Sequence, residues 1–371
     1  MIVPFLDLAA VHAEMRDDLD RAMARVLDSS SFVLGHEVHA FEEEYAAHVG
    51  TAHCVTVGNG LDAIALSLRA SGVGPGDEVL VPSHTFIATW LGVSMVGALP
   101  VPVEPDDGSY LMSVKGAERA LTERTKAVLP VHLYGEPVDL HAFGQMCVRR
   151  GVLLVEDAAQ AHGATWAGRP VGSKGTATWS FYPGKNLGAL GDGGAVTTND
   201  EGLAEELRLL RNYGSRQKYV HVSQGVNSRL DELQAAVLRV KLAHLERHNA
   251  RRREVADRYL AALSDLQMVL PHSASGGVSS RHLFVVRTQH RNDLQHSLAQ
   301  QGIGTAVHYP RAVHQQATYA HLGLADADLP RASLYARDLL SLPIGPAMSD
   351  DAVNAVIGAV RRWAKTLTPR T

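Results

Sequence analysis

Cysteine is scarce in this sequence: only Cys54 and Cys147 occur among 371 residues. A chain of this length can bury a large apolar core without disulfides, so a reducing compartment is predicted. Positive charge is not in excess either, because 35 lysines and arginines stand against 39 acids, a net charge of −4. The chain therefore has no overall basic field that would bind nucleic acid or an anionic membrane surface.

Neither a signal peptide nor a membrane-spanning helix is predicted. The first seven residues contain no basic region and reach Asp7 before a long apolar run forms, which predicts a cytoplasmic protein. The longest stretch without Asp, Glu, Lys or Arg covers residues 79–103. Its prolines predict a strand, a helix and a second strand rather than a membrane helix.

Several common catalytic motifs are missing as well. No G-x-G-x-x-G follows a predicted strand, which argues against a dinucleotide-binding fold, and there is no G-x-S-x-G nucleophile turn. The 19 histidines form no H-E-x-x-H pair and there is no C-x-x-C, so no metal site is predicted.

What the sequence contains is an alternation of short apolar runs with segments of helical length. Nearly continuous apolar strands separated by helices are typical of a sheet covered on both faces. The sequence therefore predicts an α/β fold with a mostly parallel central sheet, in which ligands collect at the carboxyl ends of the strands. The predicted strands are 53–57, 78–81, 99–103, 127–131 and 152–155.

The pattern changes after residue 199, which indicates a second domain. A long helix is predicted over 231–263, followed by strands over 283–286 and 305–309 and a final helix over 350–365. We therefore predict a large domain over 1–250 and a smaller C-terminal α+β domain over 251–371.

Three segments are candidates for chemistry. In the first, Glu156 and Asp157 end an apolar strand and small residues follow. An acid at that point enters the ligand crevice, and small residues let another group approach the backbone. The alternative is an aspartate that only caps the next turn.

The second segment carries Lys185, between an apolar strand and a loop rich in glycine. Partial burial lowers the pKa of such a lysine and leaves a neutral amine that can form a Schiff base. The alternative is a surface lysine in a turn, which the flanking aromatic residues and glycines disfavour.

The third segment is Gly58-Asn59-Gly60, a turn that ends one strand and opens a helix. Its free N–H groups and the helix dipole suit a phosphate, although ordinary connecting turns use the same residues. A lysine, an acid at a strand end and a phosphate seat are together what pyridoxal 5'-phosphate (PLP) requires.

In order and spacing these segments resemble those of the DegT/StrS-type nucleotide-sugar aminotransferases, a branch of the fold-type I PLP enzymes. The resemblance covers nearly the whole chain. Further matching segments are PFLDL at 4–8, GDEV at 76–79, PSHTF at 82–86, PVHLYG at 130–135 and NSRLD at 227–231.

The resemblance implies roles around the cofactor. Lys185 would form the Schiff base and later move the substrate proton, and Asp157 would pair with the pyridinium nitrogen. The other implied cofactor-binding residues are Gly60 and Leu61 through their backbone, Phe86 and Gln160 at the ring, Ser180 at the phosphate, and Asn227 from the neighbouring subunit of a homodimer.

The resemblance also implies residues on the substrate side. Arg229 is a candidate for the carboxylate of the amino donor, because a planar guanidinium fork suits that group. The other candidate substrate-binding residues are His308 and Tyr309, Tyr182 and His162, which flank the cofactor segments, and Tyr219, on a loop expected to meet the partner subunit. The alternative for each is a role in packing or an ordinary polar surface position.

The implied function is the transfer of an amino group from L-glutamate, or from glutamine, to a keto group of a nucleotide-linked deoxysugar. Leu61 stands where many relatives have a threonine that serves the phosphate. The motif without this threonine resembles that of the enzymes acting at C3, so the predicted substrate is a dTDP-3-keto-6-deoxyhexose. The alternatives are a 4-aminotransferase on a dTDP- or GDP-linked sugar and a non-catalytic regulator of the same fold. Lys185 argues against the related sugar dehydratases, which have a histidine there.

Overall fold

The larger part of the molecule is built around one central sheet with helices on both faces. The computed structural model describes residues 2–106, 108–272 and 275–367. Over these residues the strands are β1 (His53–Val57), β2 (Glu78–Pro82), β3 (Leu99–Val103), β4 (Thr125–Val128), β5 (Leu153–Asp157), β6 (Thr165–Trp166), β7 (Arg169–Pro170), β8 (Thr176–Ser180), β9 (Gly194–Thr198), β10 (Ser215–Gln217), β11 (Val220–His221), β12 (Gly277–Val278), β13 (Phe284–Arg287) and β14 (Leu339–Leu342). The α-helices are α1 (Leu8–Glu14), α2 (Arg16–Ser29), α3 (His36–Val49), α4 (Gly60–Ala70), α5 (Ala88–Met95), α6 (Val114–Ala120), α7 (Leu140–Arg150), α8 (Glu201–Leu210), α9 (Glu232–Leu242), α10 (Leu245–Leu263), α11 (Arg291–Gln300), α12 (Pro330–Asp338) and α13 (Asp350–Leu367).

The central sheet has its strands in the order β1-β9-β8-β5-β4-β2-β3. From β3 to β8 each strand is parallel to its neighbour, whereas β9 is antiparallel to both β8 and β1. The prediction of a mostly parallel α/β sheet is therefore confirmed. The predicted strands correspond to β1 through β5, although β4 ends at Val128, earlier than the apolar run suggested.

Both faces of this sheet are covered because its strands are apolar on both sides. In β2, Val79 and Val81 pack with residues of α4 and α5, whereas Leu80 packs with Phe143 and Met146 of α7. Successive side chains of a strand point to opposite faces, so a strand buried between two helical layers needs a continuous apolar run.

The C-terminal part has a core of its own, in which α10, α11 and α13 pack on β13 and β14. Along α10, Leu245 belongs to the core of the larger part and Val255 to the C-terminal core. The N-terminal segment reaches the same region, because Val3 pairs with Ile303. The domain boundary near residue 250 stays a prediction. The change from one core to the other along α10 supports it.

Two predicted elements are wrong. The single helix predicted over 231–263 is two helices, which separate at Ala243 and His244. Both residues keep backbone angles near the helical region, so the hydrophobic spacing continues through the break and cannot reveal it. The strand predicted over 305–309 is reduced to one bridge, between Ala306 and Ser341. Pro310, which follows this segment, has no N–H to extend a ladder.

Over the described residues, no helix combines the length and the apolar character that crossing a membrane would need.

Candidate active site

A cavity of about 820 Å³ opens where the parallel strands end and the C-terminal part meets the sheet. Asp157 ends β5, Ser180 ends β8, and the turn after β1 leads into α4 at Gly60. Such a position, at the carboxyl ends of the strands, is where ligands of open α/β sheets bind. The predicted site residues that line this cavity are Gly60, Leu61, Phe86, Asp157, Gln160, Ser180, Tyr182, Lys185, His308 and Tyr309.

Lys185 lies in the cavity on a loop that is bonded to both parts of the chain. Its backbone N–H donates to the carbonyl of Tyr182 at 2.9 Å. The next side chain, Asn186, donates to Asn249 Oδ1 and to the carbonyl of Ser280, both at 2.8 Å. Burial lowers the pKa of Lys185 to about 8, although Asp157 acts in the opposite direction. About a tenth of the amine is therefore neutral at pH 7, far more than for an ordinary lysine.

Asp157 is a buried carboxylate with a defined set of donors. Its Oδ2 accepts a hydrogen bond from Thr89 Oγ1 at 2.9 Å, and its Oδ1 accepts one from the backbone N–H of Ala159 at 3.1 Å. Burial raises the pKa of Asp157, and these two bonds together with the charge of Lys185 partly offset that rise. Sequence reasoning missed Thr89, because its contact depends on how α5 packs against β5.

The beginning of α4 forms a seat for an anion. Asn59 caps the helix by accepting from the N–H of Asp62 at 2.9 Å, and Gly60 and Leu61 line the cavity beside Ser180. A Cβ on Gly60 would lie only 2.7 Å from the Cβ of Ser180, so glycine is needed for the close approach of these two segments. Backbone N–H groups in the first turn have no partner within the helix and point to where an anion would bind.

Gln160 and two aromatic rings form another wall. Gln160 accepts from the backbone N–H of Tyr134 at 2.6 Å and donates to the Tyr309 hydroxyl at 3.1 Å. The Tyr309 ring lies 5.4 Å, centroid to centroid, from Phe86, which is half exposed in the cavity. The neighbouring His308 bonds to Ser341 Oγ at 2.8 Å, and burial lowers its pKa to about 4. His308 is therefore neutral near neutral pH.

Besides His162, three predicted residues lie outside the cavity of their own chain. Asn227 and Tyr219 are exposed, and Arg229 donates to Asn212 Oδ1 at 3.0 Å while its guanidinium faces the Tyr213 ring. Since the prediction assigned Asn227 and Tyr219 to an interface with a second subunit, their roles stay predictions. The role of Arg229 at the donor carboxylate is not supported within one chain.

The prediction that His162 contacts substrate is wrong. Its side chain is fully buried behind the sheet, against the rings of Tyr45, Trp179 and Phe181. Burial lowers the pKa of His162 to about 3, so this ring is neutral. Its place close behind Gln160 in the sequence suggested the cavity, but the tight turn after β5 directs the ring to the apolar side.

Two further cavity residues, Arg252 and His282, were missed by sequence reasoning. Arg252 belongs to the run Arg251-Arg252-Arg253, which is typical of a solvated helix face. His282 carries no motif signal.

Comparison with known proteins places the chain among close relatives. A sequence model of the DegT/DnrJ/EryC1/StrS aminotransferase family matches residues 13–361. The erythromycin biosynthesis sensory transduction protein EryC1 of Saccharopolyspora erythraea is 55% identical over 366 residues, 98% of this chain and 100% of that protein. The dTDP-3-amino-3,4,6-trideoxy-alpha-D-glucose transaminase of Streptomyces venezuelae is 53% identical over 365 residues, 98% of this chain and 96% of that protein. A crystal structure of S. venezuelae DesV in complex with a ketimine intermediate superposes with a TM-score of 0.98 at 52% identity, covering 99% of this chain and 100% of that one.

Proposed function

The chain belongs to the DegT/DnrJ/EryC1/StrS aminotransferase family, and we propose that it is a PLP-dependent enzyme that transfers an amino group from L-glutamate to C3 of a dTDP-3-keto-6-deoxyhexose. The observation that carries this proposal is one cavity that contains a lysine of lowered pKa, a buried carboxylate and a helix N-terminus. The choice of C3 and of a dTDP sugar is supported by the relative from S. venezuelae, which is named for a dTDP-3-amino sugar.

The residues present fit PLP. The seat formed by the backbone of Gly60 and Leu61 with the Ser180 hydroxyl suits the phosphate, and the close contact at Gly60 leaves no room for a side chain there. The buried Asp157 carboxylate suits a protonated ring nitrogen, and Phe86 offers a half-exposed ring for stacking. When bound, PLP would supply an electron-withdrawing ring and a carbon that can carry an amino group between the two substrates.

The chain contributes binding, orientation and proton transfer. Lys185 supplies the amine that attaches the cofactor and then moves the proton at the substrate carbon, for which a pKa of about 8 is suitable. Asp157, fixed by Thr89 and Ala159, holds the proton on the ring nitrogen. Gln160 is oriented by Tyr134 and Tyr309 to contact the ring. On the substrate side, Tyr182, His308 and Tyr309 present polar groups to a sugar.

Replacing Gly60 by alanine is expected to weaken PLP binding. The added Cβ would displace Ser180 or the first turn of α4 and so remove a hydrogen bond to the phosphate. Losing one hydrogen bond to a charged group corresponds to an increase in Kd of about 10- to 100-fold. Absorbance titration of the apoprotein with PLP measures this change. Gly74→Ala is the matched control, because its nearest neighbour would be 3.9 Å away; equal Kd values for the two variants would contradict the phosphate seat.

A homodimer with shared active sites is part of the proposal. The segment that carries Asn227 also carries several exposed apolar side chains, among them Tyr213, Tyr219, Val220 and Val222. Tyr219 is 83% exposed at the turn between β10 and β11. Exposed apolar groups concentrated on one segment are typical of an interface, which supports the assignment of Asn227 and Tyr219 to the active site of a partner subunit.

Mixed dimers test this arrangement. Lys185→Ala removes the amine, and Asn227→Asp places a carboxylate against the phosphate of the partner's site, so each homodimer should be nearly inactive. A heterodimer of the two variants, isolated with two affinity tags, contains one intact site and should recover about half of the wild-type turnover. Lys185→Ala paired with Asp157→Asn is the control, since both residues line the same chain's cavity and neither site of that heterodimer is intact. No recovery in the first heterodimer would place Asn227 outside the partner's site.

A spectroscopic experiment tests the function as a whole. The purified yellow holoprotein should lose its visible absorbance on addition of L-glutamate and regain it on addition of the dTDP-3-keto sugar. If a 4-keto sugar restores the visible absorbance and the 3-keto sugar does not, the enzyme aminates C4. Because the relative from S. erythraea is named a sensory transduction protein, a non-catalytic regulator is the second candidate, and an unchanged spectrum with every amino donor would support it.

A further inference from the structure

Arg252 is a buried cation in the wall of the cavity that contains Lys185. It lies on α10 with only 4% of its surface exposed. One guanidinium nitrogen, Nη1, donates to the carbonyls of His282 and Ile344, each at 3.2 Å. Over the part of the chain that the structure describes, Nε and Nη2 make no hydrogen bond. The side chain therefore has donors left for a ligand.

No carboxylate among the described residues compensates this charge. Burial lowers the pKa of Arg252 to about 10, and no acid acts in the opposite direction. The adjacent arginines differ: Arg251 pairs with Glu254 and Asp350, and Arg253 pairs with Glu246. Burying a guanidinium without a counter-charge costs free energy. An anion that enters the cavity would pair with this charge and reduce that cost.

The position of Arg252 relative to Lys185 indicates which anion this is. His282 connects the two, because its carbonyl accepts from Arg252 while its Nδ1 bonds at 3.0 Å to Asn186, the residue after Lys185. Burial lowers the pKa of His282, and the charges of both Lys185 and Arg252 lower it further. His308, also near Lys185, is neutral. The described cavity lining near Lys185 therefore contributes neutral or positive groups, apart from the carboxylates of Asp157 and Asp192.

We propose that Arg252 binds a carboxylate of the amino donor through Nε and Nη2. An amino acid must bring its nitrogen to the place of the Lys185 amine, which leaves a carboxylate a few bonds away. The guanidinium fork matches a carboxylate with two parallel hydrogen bonds. This is the role that the sequence suggested for Arg229, which lies outside the cavity of its own chain. This inference rests on the proposed function only in requiring an amino acid as donor.

Measuring the two half-reactions of the holoenzyme separately tests whether Arg252 binds the donor carboxylate. Arg252→Met should raise the concentration of L-glutamate needed for half of the spectral change by about 100-fold, as expected when one partner of a desolvated charge pair is removed. The reverse half-reaction with the dTDP-3-amino sugar, which lacks a carboxylate, should change less than about threefold. Arg252→Lys keeps the charge without the guanidinium fork, so its L-glutamate concentration for half of the spectral change should lie between those of the wild type and Arg252→Met. Arg253→Met is the matched control and should resemble the wild type.

A non-reacting probe gives a readout independent of turnover. Glutarate has two carboxylates and no amine, and calorimetry on the holoenzyme should show that it binds to wild type and to Arg253→Met but not to Arg252→Met. If Arg252→Met impairs both half-reactions equally, or binds glutarate as wild type does, Arg252 only braces α10 against the two carbonyls. If only the sugar half-reaction fails, Arg252 binds the diphosphate and the proposal is overturned. A wild type that responds to glutamate but not to the sugar would contradict the proposed substrate and leave this test intact.

Discussion

Lys185→Ala is expected to lower turnover by about 10,000-fold, a loss of ~5 kcal/mol in transition-state stabilisation. The side chain supplies the amine that moves the proton at the reacting carbon. Its lowered pKa of about 8 makes that amine a base near neutral pH. Three other basic side chains line the cavity, those of Arg252, His282 and His308, and they do not replace it. Arg252 stays protonated, and the pKa values of the two histidines are too low for efficient proton transfer. The measurement is the rate of the glutamate half-reaction under single-turnover conditions.

The controls for this variant distinguish lost chemistry from lost fold. Lys174→Ala removes an exposed lysine and should leave the rate unchanged. Far-ultraviolet circular dichroism of Lys185→Ala should match the wild type. A small primary amine added to the variant should restore part of the rate, because the deleted side chain leaves space for it in the cavity. A rate within tenfold of wild type would remove Lys185 from its assigned role.

The parts of the fold that the sequence predicts are those with a local cause. The run of apolar residues in β2 is required by helices on both faces, so its burial is visible in the sequence. The break between α9 and α10 leaves no such signal, since Ala243 is an ordinary helix former. The strand β14 follows α12 with no Gly or Pro between them, and only its pairing with β13 defines it.

The residues of the site likewise include some with a local signal in the sequence and some without one. Asp157, Lys185 and Gly60 each end or follow a strand, and that position alone brings them to one edge of the sheet. Arg252 becomes a cavity residue only because α10 packs between the two parts of the chain, a long-range effect that three consecutive arginines conceal. His162 shows the opposite error, because the turn that directs Gln160 into the cavity directs His162 to Trp179.

Asp157→Asn is expected to change activity and stability in opposite directions. Asparagine keeps the size of the side chain and can still accept a hydrogen bond, but it carries no charge to hold a proton on the ring nitrogen. Turnover should fall by about 1,000-fold, since roughly 4 kcal/mol is a typical effect of one electrostatic group at a reacting centre. Thr89→Val removes only the hydrogen bond to Oδ2 and leaves the charge of Asp157, so turnover should fall much less in this variant. Turnover in Asp157→Asn close to that of Thr89→Val would mean that the charge is not needed.

The stability effect follows from the sign of the pKa shift. Burial raises the pKa of Asp157, so between the ordinary and the folded-state pKa the folded apoprotein binds more protons than the unfolded chain, and its stability falls as pH rises through that window. At neutral pH the buried carboxylate is charged and destabilising, and asparagine removes this cost. The apoprotein of Asp157→Asn should therefore unfold at a higher temperature than the wild-type apoprotein at pH 7, and the difference should narrow as pH falls towards the ordinary range of a carboxyl group. Because the same carboxylate is costly to the empty fold and needed by the bound cofactor, the order of the two unfolding temperatures should reverse when PLP is present. An Asp157→Asn apoprotein less stable than wild type at pH 7 would show that the bonds from Thr89 and Ala159 outweigh burial.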